Sequence, residues 1–461
     1  MSDQINHSKN MRKSILYGLL LLLPLCAKGQ EVLTLQQCRD MALENNKQMA
    51  IAFKKTKGAE FTQKSFKGNF FPNITAFGND AFASIDSRLN IPGGNLPVFV
   101  PNAQGIPTPS GFAYFPGIDL NLRIRNMLMA GIQMDQPLYM GGKILAAYKM
   151  SKIGTEVALL NERLTASEVI LETENAYGLL VKAQEMKKVA DSYHALLSEL
   201  MKVVESAHKH GLKPKNDVLK VQVKLNESEL AIRKADNACR LATMNLCHLI
   251  GKPLTTPLQI ESVYPHVPNS SSSDIATIND RPEYHMLDRK VELAKQELKL
   301  QRSELLPKVG IRGSYNYTNG LKLNDQKLFD SGGFAVMLNV SVPIFHFGER
   351  TNKVKAAKMK LEEAQLEQAD LNEKMTLELT QAANNLDEAQ LEAALADRSL
   401  EQAEENERLS KKEYEAGLET LSDHMESQAL WQSAYATKVD AHFQLYIQYV
   451  KYLKAAGKLN K

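Results

Sequence analysis

Apolar and polar positions alternate along three segments of the chain with the two-residue period of a β-strand. The clearest segment is 120–135, where apolar residues occupy most alternate positions and polar residues lie between them. Residues 309–318 and 334–342 show the same pattern, and the segment that follows Pro72 is a weaker fourth example. Alternation of this kind is typical of a strand with one apolar face and one solvated face. The sequence therefore predicts four amphipathic strands.

Elsewhere the apolar period changes to three and four residues. Residues 349–416 contain neither glycine nor proline, and one continuous helix of this length would extend for about 100 Å. Within it an apolar stripe repeats at spacings of four and three, namely Met375, Leu379, Ala382, Leu386, Ala389, Ala393, Ala396, Leu400 and Ala403. This spacing predicts a coiled-coil seam whose alanines let helices approach closely. A shorter stripe at Tyr193, Leu196, Leu200, Val203 and Ala207 predicts a second seam, and residues 34–70 and 281–306 are predicted to be further helices.

Prolines and glycines recur in the chain at a constant offset of 206 residues. The pairs are Pro137 and Pro343, Gly142 and Gly348, Gly211 and Gly417, and Gly251 and Gly457. A constant offset over four landmarks predicts an internal duplication. We expect a first repeat at 30–251, a linker at 252–280 and a second repeat at 281–461. Each long helix should end near its Gly-Leu pair, where the chain turns into a second helix.

The first repeat is longer than the second upstream of these landmarks. Pro72 and Pro307 are 235 residues apart, so the first repeat carries 29 additional residues. They fall in the stretch from Ile91 to Gly117, whose proline and glycine content predicts an enlarged loop. Pro72 and Pro307, with Pro137 and Pro343, mark the predicted junctions between strands and helices.

The N-terminal residues have the pattern of an export signal. Two basic residues at 12–13 precede an apolar run over 15–26, and Ala27-Lys28-Gly29 follows as a small-residue cleavage site. This predicts a signal peptide over 1–29, with Met11 as an alternative start. Lipidation of Cys26 is disfavoured because a bulky leucine precedes it. No later stretch of eighteen apolar residues occurs, so any entry into a membrane would have to use strands.

Charge and chemistry exclude several classes of function. The chain has 56 Lys and Arg against 53 Asp and Glu and no long basic block, so we expect no nucleic-acid partner. After the signal three widely spaced cysteines remain, Cys38, Cys239 and Cys247. They match neither a disulfide framework nor a zinc site, although a pairing of the last two stays open. No catalytic or cofactor-binding motif is present, so the sequence predicts no enzyme, cofactor or metal site.

Four strands from one chain cannot close a barrel. Single-chain outer-membrane barrels begin at eight strands, and open sheet edges are not tolerated in lipid. Three chains would supply twelve strands and leave a pore, whereas two would give a filled interior. The predicted fold is therefore an α+β membrane protein: a trimeric twelve-stranded β-barrel continued by a long α-helical coiled-coil barrel.

The duplicated order of landmarks resembles the TolC-like outer-membrane efflux family. The resemblance is carried by Gln136-Pro137-Leu138-Tyr139 with Gly141-Gly142-Lys143 at one strand exit, and by Val342-Pro343-Ile344-Phe345 with Gly348 at the other; it covers residues 31–457. It implies a homotrimer in the outer membrane of a Gram-negative bacterium, in contact with membrane lipid and with a large periplasmic helical part. It further implies docking to a periplasmic adaptor and to an inner-membrane transporter of the RND or ABC type, for drug efflux or type I secretion without catalysis.

Two alternatives explain part of the pattern. A soluble periplasmic coiled-coil adaptor or scaffold accounts for the heptads and the signal, but it leaves the two matched pairs of strands unexplained. A metal-ion efflux duct within the same family is less compatible with the sequence, because clusters of methionine and histidine are absent from it.

The resemblance also places functional residues at the ends of the long helices. In the family, turns such as Gly211-Leu212 and Gly417-Leu418 form the periplasmic tip and dock the adaptor. Tyr414 matches the tip tyrosine, and Asp217 matches an aspartate of the contacts that close the aperture. Glu419 stands where an arginine is common, so Lys213, Lys215, Lys411 or Lys412 would have to supply a replacement cation. The alternative is that Asp217 caps a helix and Tyr414 is ordinary packing.

Two further acids match a pore-facing acidic ring of the family. Asp423 and Glu426 are three residues apart on a predicted helix, so both side chains can point to one side. Thr420 and Asp423 also have the spacing of a capping box, which is the alternative for Asp423.

Overall fold

The computed structural model describes residues 32–261, 263–264, 267–268 and 277–459. The predicted signal peptide and part of the predicted linker lie outside the described residues. The strands are β1 (Val32–Leu33), β2 (Asn73–Ile91), β3 (Gly94–Pro101), β4 (Pro107–Phe115), β5 (Ile118–Met140), β6 (Gln259–Ile260), β7 (Lys308–Leu323) and β8 (Gln326–Ser341). The helices are α1 (Leu35–Asn45), α2 (Lys47–Gly68), α3 (Lys143–Lys209), α4 (Lys215–Leu249), α5 (Pro282–Ser303), α6 (Glu349–Glu415) and α7 (Leu421–Ala455), with a short 3₁₀ helix at Ile278–Asp280.

The long helices occur in two matched pairs. Helices α3 and α6 each contain 67 residues, and α4 and α7 each contain 35. The predicted helix over 349–416 is confirmed to within one residue. No helix in the described part of the chain is long and apolar enough to cross a membrane.

The predicted seam of α6 is buried over most of its length. Met375, Leu386, Leu400 and the alanines at 389, 393, 396 and 403 are each at most 7% exposed. Ala393 and Ala396 pack against Ala441 of α7. Methyl side chains on both helices permit this close packing, as the heptad pattern predicts.

The seam predicted for α3 is shifted. Tyr193 and Leu200 are buried as expected, but Val203 is 54% exposed, while Leu197 and Val204 are fully buried. The prediction chose the wrong register here because apolar residues occupy adjacent positions in this part of α3, and spacing alone does not tell which of them face the neighbouring helices.

The single helix predicted over 34–70 is wrong, because the chain breaks at Asn46. This residue has an extended backbone with ψ 134° and is buried. Its side-chain Nδ2 donates to the carbonyl oxygen of Leu249 at 3.1 Å, and its Oδ1 accepts from the backbone N–H of Gln48 at 2.7 Å. Asparagine side chains compete with the backbone for such hydrogen bonds, which separates α1 from α2.

The four predicted strands form one antiparallel sheet in the order β2-β5-β7-β8. The turn between β7 and β8 consists of Asn324 and Asp325, both with positive φ of 50° and 64°. Two such residues are typical of the type I′ turns that close right-twisted hairpins. Within the described chain, β2 and β8 each have one neighbour in this sheet, so the sheet has two open edges.

The two faces of this sheet differ sharply in polarity. Ile132 pairs with Tyr315, which pairs with Phe334, so these side chains share one face. The exposed apolar residues of that face include Ile74, Ile132, Tyr315, Phe334, Val336, Leu338 and Val340. The opposite face carries Thr75, Gln133, Ser314, Asp135 and Arg312 at paired positions, and the last two form an ion pair at 2.6 Å.

The enlarged loop predicted at Ile91–Gly117 is in fact a β-hairpin. Strands β3 and β4 pair with each other along their whole length and form a separate two-stranded sheet. The proline and glycine content suggested a loop, but Leu96, Val98 and Val100 alternate as strand residues do, and this signal was missed.

The chain folds as two compact units. One consists of the described parts of 1–57, 157–288 and 367–461, and the other of 58–156 and 289–366. The core of the first unit combines α1, α3 and α4 with the short parallel pair β1 and β6. Cys38, Cys239 and Cys247 are free thiols, and burial raises the pKa of Cys38 to about 11.

A fully buried carboxylate lies in the first unit. The Glu174 side chain is 0% exposed, forms an ion pair with Arg39 and accepts a hydrogen bond from the Tyr446 hydroxyl. Burial raises its pKa, while the tyrosine hydrogen bond and the arginine charge act in the opposite direction. A buried carboxylate needs such partners, because an unpaired charge in the interior is costly.

We expect Tyr446→Phe to lower the free energy of unfolding by about 1–3 kcal/mol, because it leaves Glu174 without its neutral donor. Tyr449→Phe, on the same helix but not buried, is the matched control and should change little. Denaturant unfolding of the detergent-solubilised protein measures both. Equal effects of the two substitutions would show that the hydroxyl of Tyr446 has no special role.

Candidate functional site

Helices α3 and α6 both end in the same type of hydrogen-bonded turn. The N–H of Leu212 donates to the carbonyl of Ala207 at 2.9 Å, and the N–H of Leu418 donates to that of Glu413 at 2.8 Å. Gly211 and Gly417 have φ of 77° and 75°. This is the Schellman arrangement, in which the left-handed position strongly favours glycine. The residues after the glycines, Leu212 and Leu418, are 76% and 82% exposed.

Tyr414 connects the residues around the two turns. Its ring stacks on the imidazole of His424, with centroids 5.2 Å apart and planes 7° apart. The Lys213 ammonium, from the first turn, lies 5.3 Å from the centroid of the same ring. Tyr414 also packs against the cluster around Leu200 and Val221. It is therefore a packing residue that also contacts a cation, as a tyrosine does through its ring face.

Asp217 lies in the first turn of α4 and does not cap that helix. The N-cap is Pro214, which makes no side-chain hydrogen bond, so the capping alternative for Asp217 is wrong. Burial raises the pKa of Tyr414, and the negative charge of Asp217 adds to this effect. The two predicted aperture residues are thus electrostatic neighbours.

Glu419 is part of a local network. Its carboxylate accepts a hydrogen bond from the hydroxyl of Ser410 at 2.5 Å. Among the lysines considered as replacement cations, Lys213 contacts Tyr414 and Lys411 lies 3.9 Å from Glu199.

Asp423 and Glu426 are both exposed and lie on one side of α7, opposite the buried residues Leu421 and Gln428. The hydroxyl of Thr420 accepts from the N–H of Asp423 at 3.3 Å and donates to its carboxylate at 2.6 Å. Asp423 therefore takes part in the N-cap of α7. Glu426 lies one turn further along the same exposed side.

His424 lies at the centre of a buried cluster that sequence reasoning missed. It is 3% exposed, with Nδ1 3.1 Å from the Ser410 oxygen and Nε2 3.1 Å from the amide nitrogen of Gln428. The amide can only donate, so Nε2 accepts and Nδ1–H donates to Ser410, which in turn donates to Glu419. The signal was available: Leu421, His424 and Gln428 share the helical spacing of a buried stripe.

The cluster favours the neutral form of this histidine. Burial lowers the pKa of His424, the carboxylates of Glu407, Glu419 and Glu415 oppose the shift, and Lys411 adds to it. Protonation would place a second N–H against the amide donor of Gln428. The charged form is therefore penalised both by lost solvation and by a donor-donor contact.

The four junction prolines occupy different positions. Pro72 and Pro307 immediately precede β2 and β7, and Pro343 lies between β8 and α6. Pro137 lies inside β5, where the ladder to β7 shifts register between Pro137 and Tyr139. A proline cannot donate to a ladder, so its place at such a bulge is expected. In the described residues no group of three or more histidine, cysteine, aspartate or glutamate side chains is arranged to hold a metal.

The second half of the chain matches a known family. Residues 278–458 fit the sequence profile of the outer membrane efflux protein family. This part of the chain is similar to the outer membrane efflux protein family. The match agrees with the resemblance drawn from the paired landmarks, and it favours the outer-membrane interpretation over a soluble periplasmic scaffold.

One characterised protein is similar to about half of the chain. The alkaline protease secretion protein AprF of Pseudomonas aeruginosa is 23% identical over 274 residues, which cover 57% of this chain and 55% of that protein. The chain thus spans about half the length of the curated relative it matches.

Solved structures establish the fold over most of the chain. The outer membrane protein VceC of Vibrio cholerae is 15% identical with a TM-score of 0.72, covering 92% of this chain and 96% of VceC. The CmeC outer membrane channel of Campylobacter jejuni is 18% identical with a TM-score of 0.72, covering 92% of this chain and 86% of CmeC.

The His424 cluster predicts a pH dependence of stability. The pKa of His424 is lowered on folding. The cluster therefore stabilises the fold fully above the ordinary histidine pKa, and this stabilisation is lost as pH falls through that value towards the lowered pKa. Lowering the pH from about 8 to about 5 should lower the melting temperature of the unmodified protein. The decrease should be smaller in His424→Gln. His248→Gln, at an exposed position of α4, is the control. Identical pH profiles for all three proteins would contradict a neutral, buried His424.

Proposed function

We propose that this chain forms the outer-membrane exit duct of a tripartite efflux pump or a type I secretion system. It is a passive conduit for drugs or other small molecules and uses no catalysis. The observation that carries the proposal is the four-stranded sheet, with an exposed apolar face, an opposite polar face and two open edges. An apolar face of this kind suits lipid, and the polar face suits a water-filled lumen.

The open edges require further copies of the chain. In hydrocarbon an unpaired strand edge leaves several N–H and C=O groups without partners, which is costly. Pairing β8 of one copy with β2 of the next satisfies both edges, and three copies close a barrel of twelve strands with a pore. The same symmetry brings three sets of the long helices together as a coiled-coil tunnel.

The helix ends suit a docking role. Two exposed leucines, Leu212 and Leu418, each follow a rigid turn, and exposed apolar residues in such positions are suited to a protein partner. The partner we propose is a periplasmic adaptor, which connects the duct to an inner-membrane transporter of the RND or ABC type. The similarity to AprF, an alkaline protease secretion protein, supports the secretion variant of this assembly.

The aperture is proposed to be narrowed around Tyr414 and Asp217, with Asp423 and Glu426 facing the axis as a ring of six carboxylates in the trimer. Both acids lie on the exposed side of α7, as a lumen position requires. A ring of carboxylates attracts cations and repels anions. The N-cap role of Asp423 is compatible with this, because its second oxygen can face the lumen.

Asp423→Asn with Glu426→Gln should reduce cation selectivity in planar bilayers, because it removes the charged ring. Glu388→Gln with Glu392→Gln, which neutralises two exposed acids in the middle of α6, is the matched control and should leave selectivity largely unchanged. The reversal potential in a salt gradient measures the effect. Unchanged selectivity together with a less stable protein would assign the pair to capping and helix packing.

The inserted segment should lie outside the cell. Gln104 is exposed at the turn between β3 and β4, and bacterial barrels carry their longer loops on the extracellular side. Gln104→Cys should react with a membrane-impermeant maleimide in intact cells. A reaction that requires prior permeabilisation of the outer membrane would place the hairpin on the periplasmic side.

A further inference from the structure

The hairpin formed by β3 and β4 presents an unusual surface. No charged residue occurs between Arg88 and Asp119, and the large apolar side chains of the hairpin are exposed. The exposed set includes Leu96, Val98, Phe99, Val100, Phe112 and Tyr114, from 40% for Val98 to 74% for Phe112. A loop that met only water would carry polar and charged residues, so this surface requires an apolar partner.

The apolar residues are divided between two faces of the hairpin. Pro97 lies opposite Phe112 and Asn95 opposite Tyr114 in the ladder, so Phe112 and Tyr114 share a face with Phe99, which we call the aromatic face. The other face carries Leu96, Val98, Val100 and Ala113, with Phe115 opposite Gly94 at the end of the ladder, and we call it the aliphatic face. The hairpin is therefore apolar on both sides, with Phe99, Phe112 and Tyr114 on one and mainly aliphatic side chains on the other.

The edges of the hairpin are poorly suited to pairing with another strand. Pro97 and Pro101 in β3, and Pro107 and Pro109 in β4, lack the N–H that a ladder requires. The same open edges argue against burial in hydrocarbon, where the remaining backbone groups would stay unsatisfied. A partner must therefore contact the faces, and the edges must stay in water.

The junction with the large sheet places the hairpin next to an open edge of that sheet. Only Pro92 and Gly93 separate it from β2, an edge strand of the large sheet. A Cβ at Gly93 would lie 2.8 Å from the carbonyl oxygen of Phe115, and one at Gly117 would lie 2.7 Å from the nitrogen of Gly93. The two segments that link the hairpin to the large sheet, 92–93 and 116–117, are therefore in backbone contact.

The two different apolar faces match the geometry of a closed ring. In a cyclic trimer each contact joins two different surfaces, so every copy offers one surface to each neighbour. A hairpin that only lay against its own sheet would need one apolar face and would present polar residues on the other. We propose that the hairpins of three copies pack face to face, the aromatic face of each on the aliphatic face of the next, and form a clasp above the barrel.

The clasp rests on the proposed trimer, and cysteines can test it by trapping contacts between chains. Two differently tagged chains are co-expressed, one with Val98→Cys on the aliphatic face and the other with Tyr114→Cys on the aromatic face. A short bis-maleimide should join the two tags at least about fivefold more than in a same-face control of Phe112→Cys with Tyr114→Cys, because only unlike faces meet in a ring.

A second measurement does not depend on cross-linking. Phe112→Ser with Tyr114→Ser should lower the temperature at which the trimer dissociates in detergent, by roughly 5 °C. Ile106→Ser, an exposed apolar position in the turn that belongs to neither face, should cause no such shift. Equal shifts in the two variants would overturn the clasp.

The outcomes separate the clasp from the duct. The protein could run as a trimer on native gels while its unlike-face pair cross-links no better than the same-face control. That result would overturn the clasp and leave the proposed duct intact. Absence of any trimer overturns both. Brominated lipid could quench the tryptophan fluorescence of Tyr114→Trp as strongly as that of Phe334→Trp in the large sheet. This would show that lipid covers the aromatic face, which also overturns the clasp.

Discussion

The four-stranded sheet has two open edges, and a sheet can lie in hydrocarbon only when such edges are paired. Strands β2 and β8 each lack a neighbour on one side, while Ile74, Phe334 and their companions present an apolar face. In hydrocarbon the backbone groups of such edges must be paired, and the described residues of one chain supply no further strand of this sheet. The proposed trimer and its pore both follow from satisfying those groups.

The sequence was most informative where one face decides a whole element. Alternation at 309–318 and 334–342 identified the strands, because a one-residue slip would exchange the two faces. The glycine landmarks located the helix ends, since Gly211 and Gly417 occupy left-handed positions at Schellman turns. The break at Asn46 was missed because a hydrogen bond to Leu249, 203 residues away in the sequence, determines it. The hairpin at 94–115 was missed although its apolar residues alternate, because its prolines and glycines indicated a loop.

The candidate site shows the same division. The family resemblance placed Tyr414 and Asp217 together at the tip, and the spacing of Thr420 and Asp423 offered the capping interpretation that their hydrogen bonds bear out. The chain of donors from Gln428 through His424 and Ser410 to Glu419 joins α6 with α7 and needs tertiary structure to be seen. Its buried stripe was nevertheless legible as a helical period.

In the proposed trimer, three copies close the sheet edges of one another. The most direct test is native mass spectrometry of the full-length mature protein, extracted from outer membranes in mild detergent. We expect a single assembly with three times the mass of the chain that stays intact until the detergent is stripped by strong activation. A well-folded monomer or dimer with the same strand content would contradict the proposed trimer.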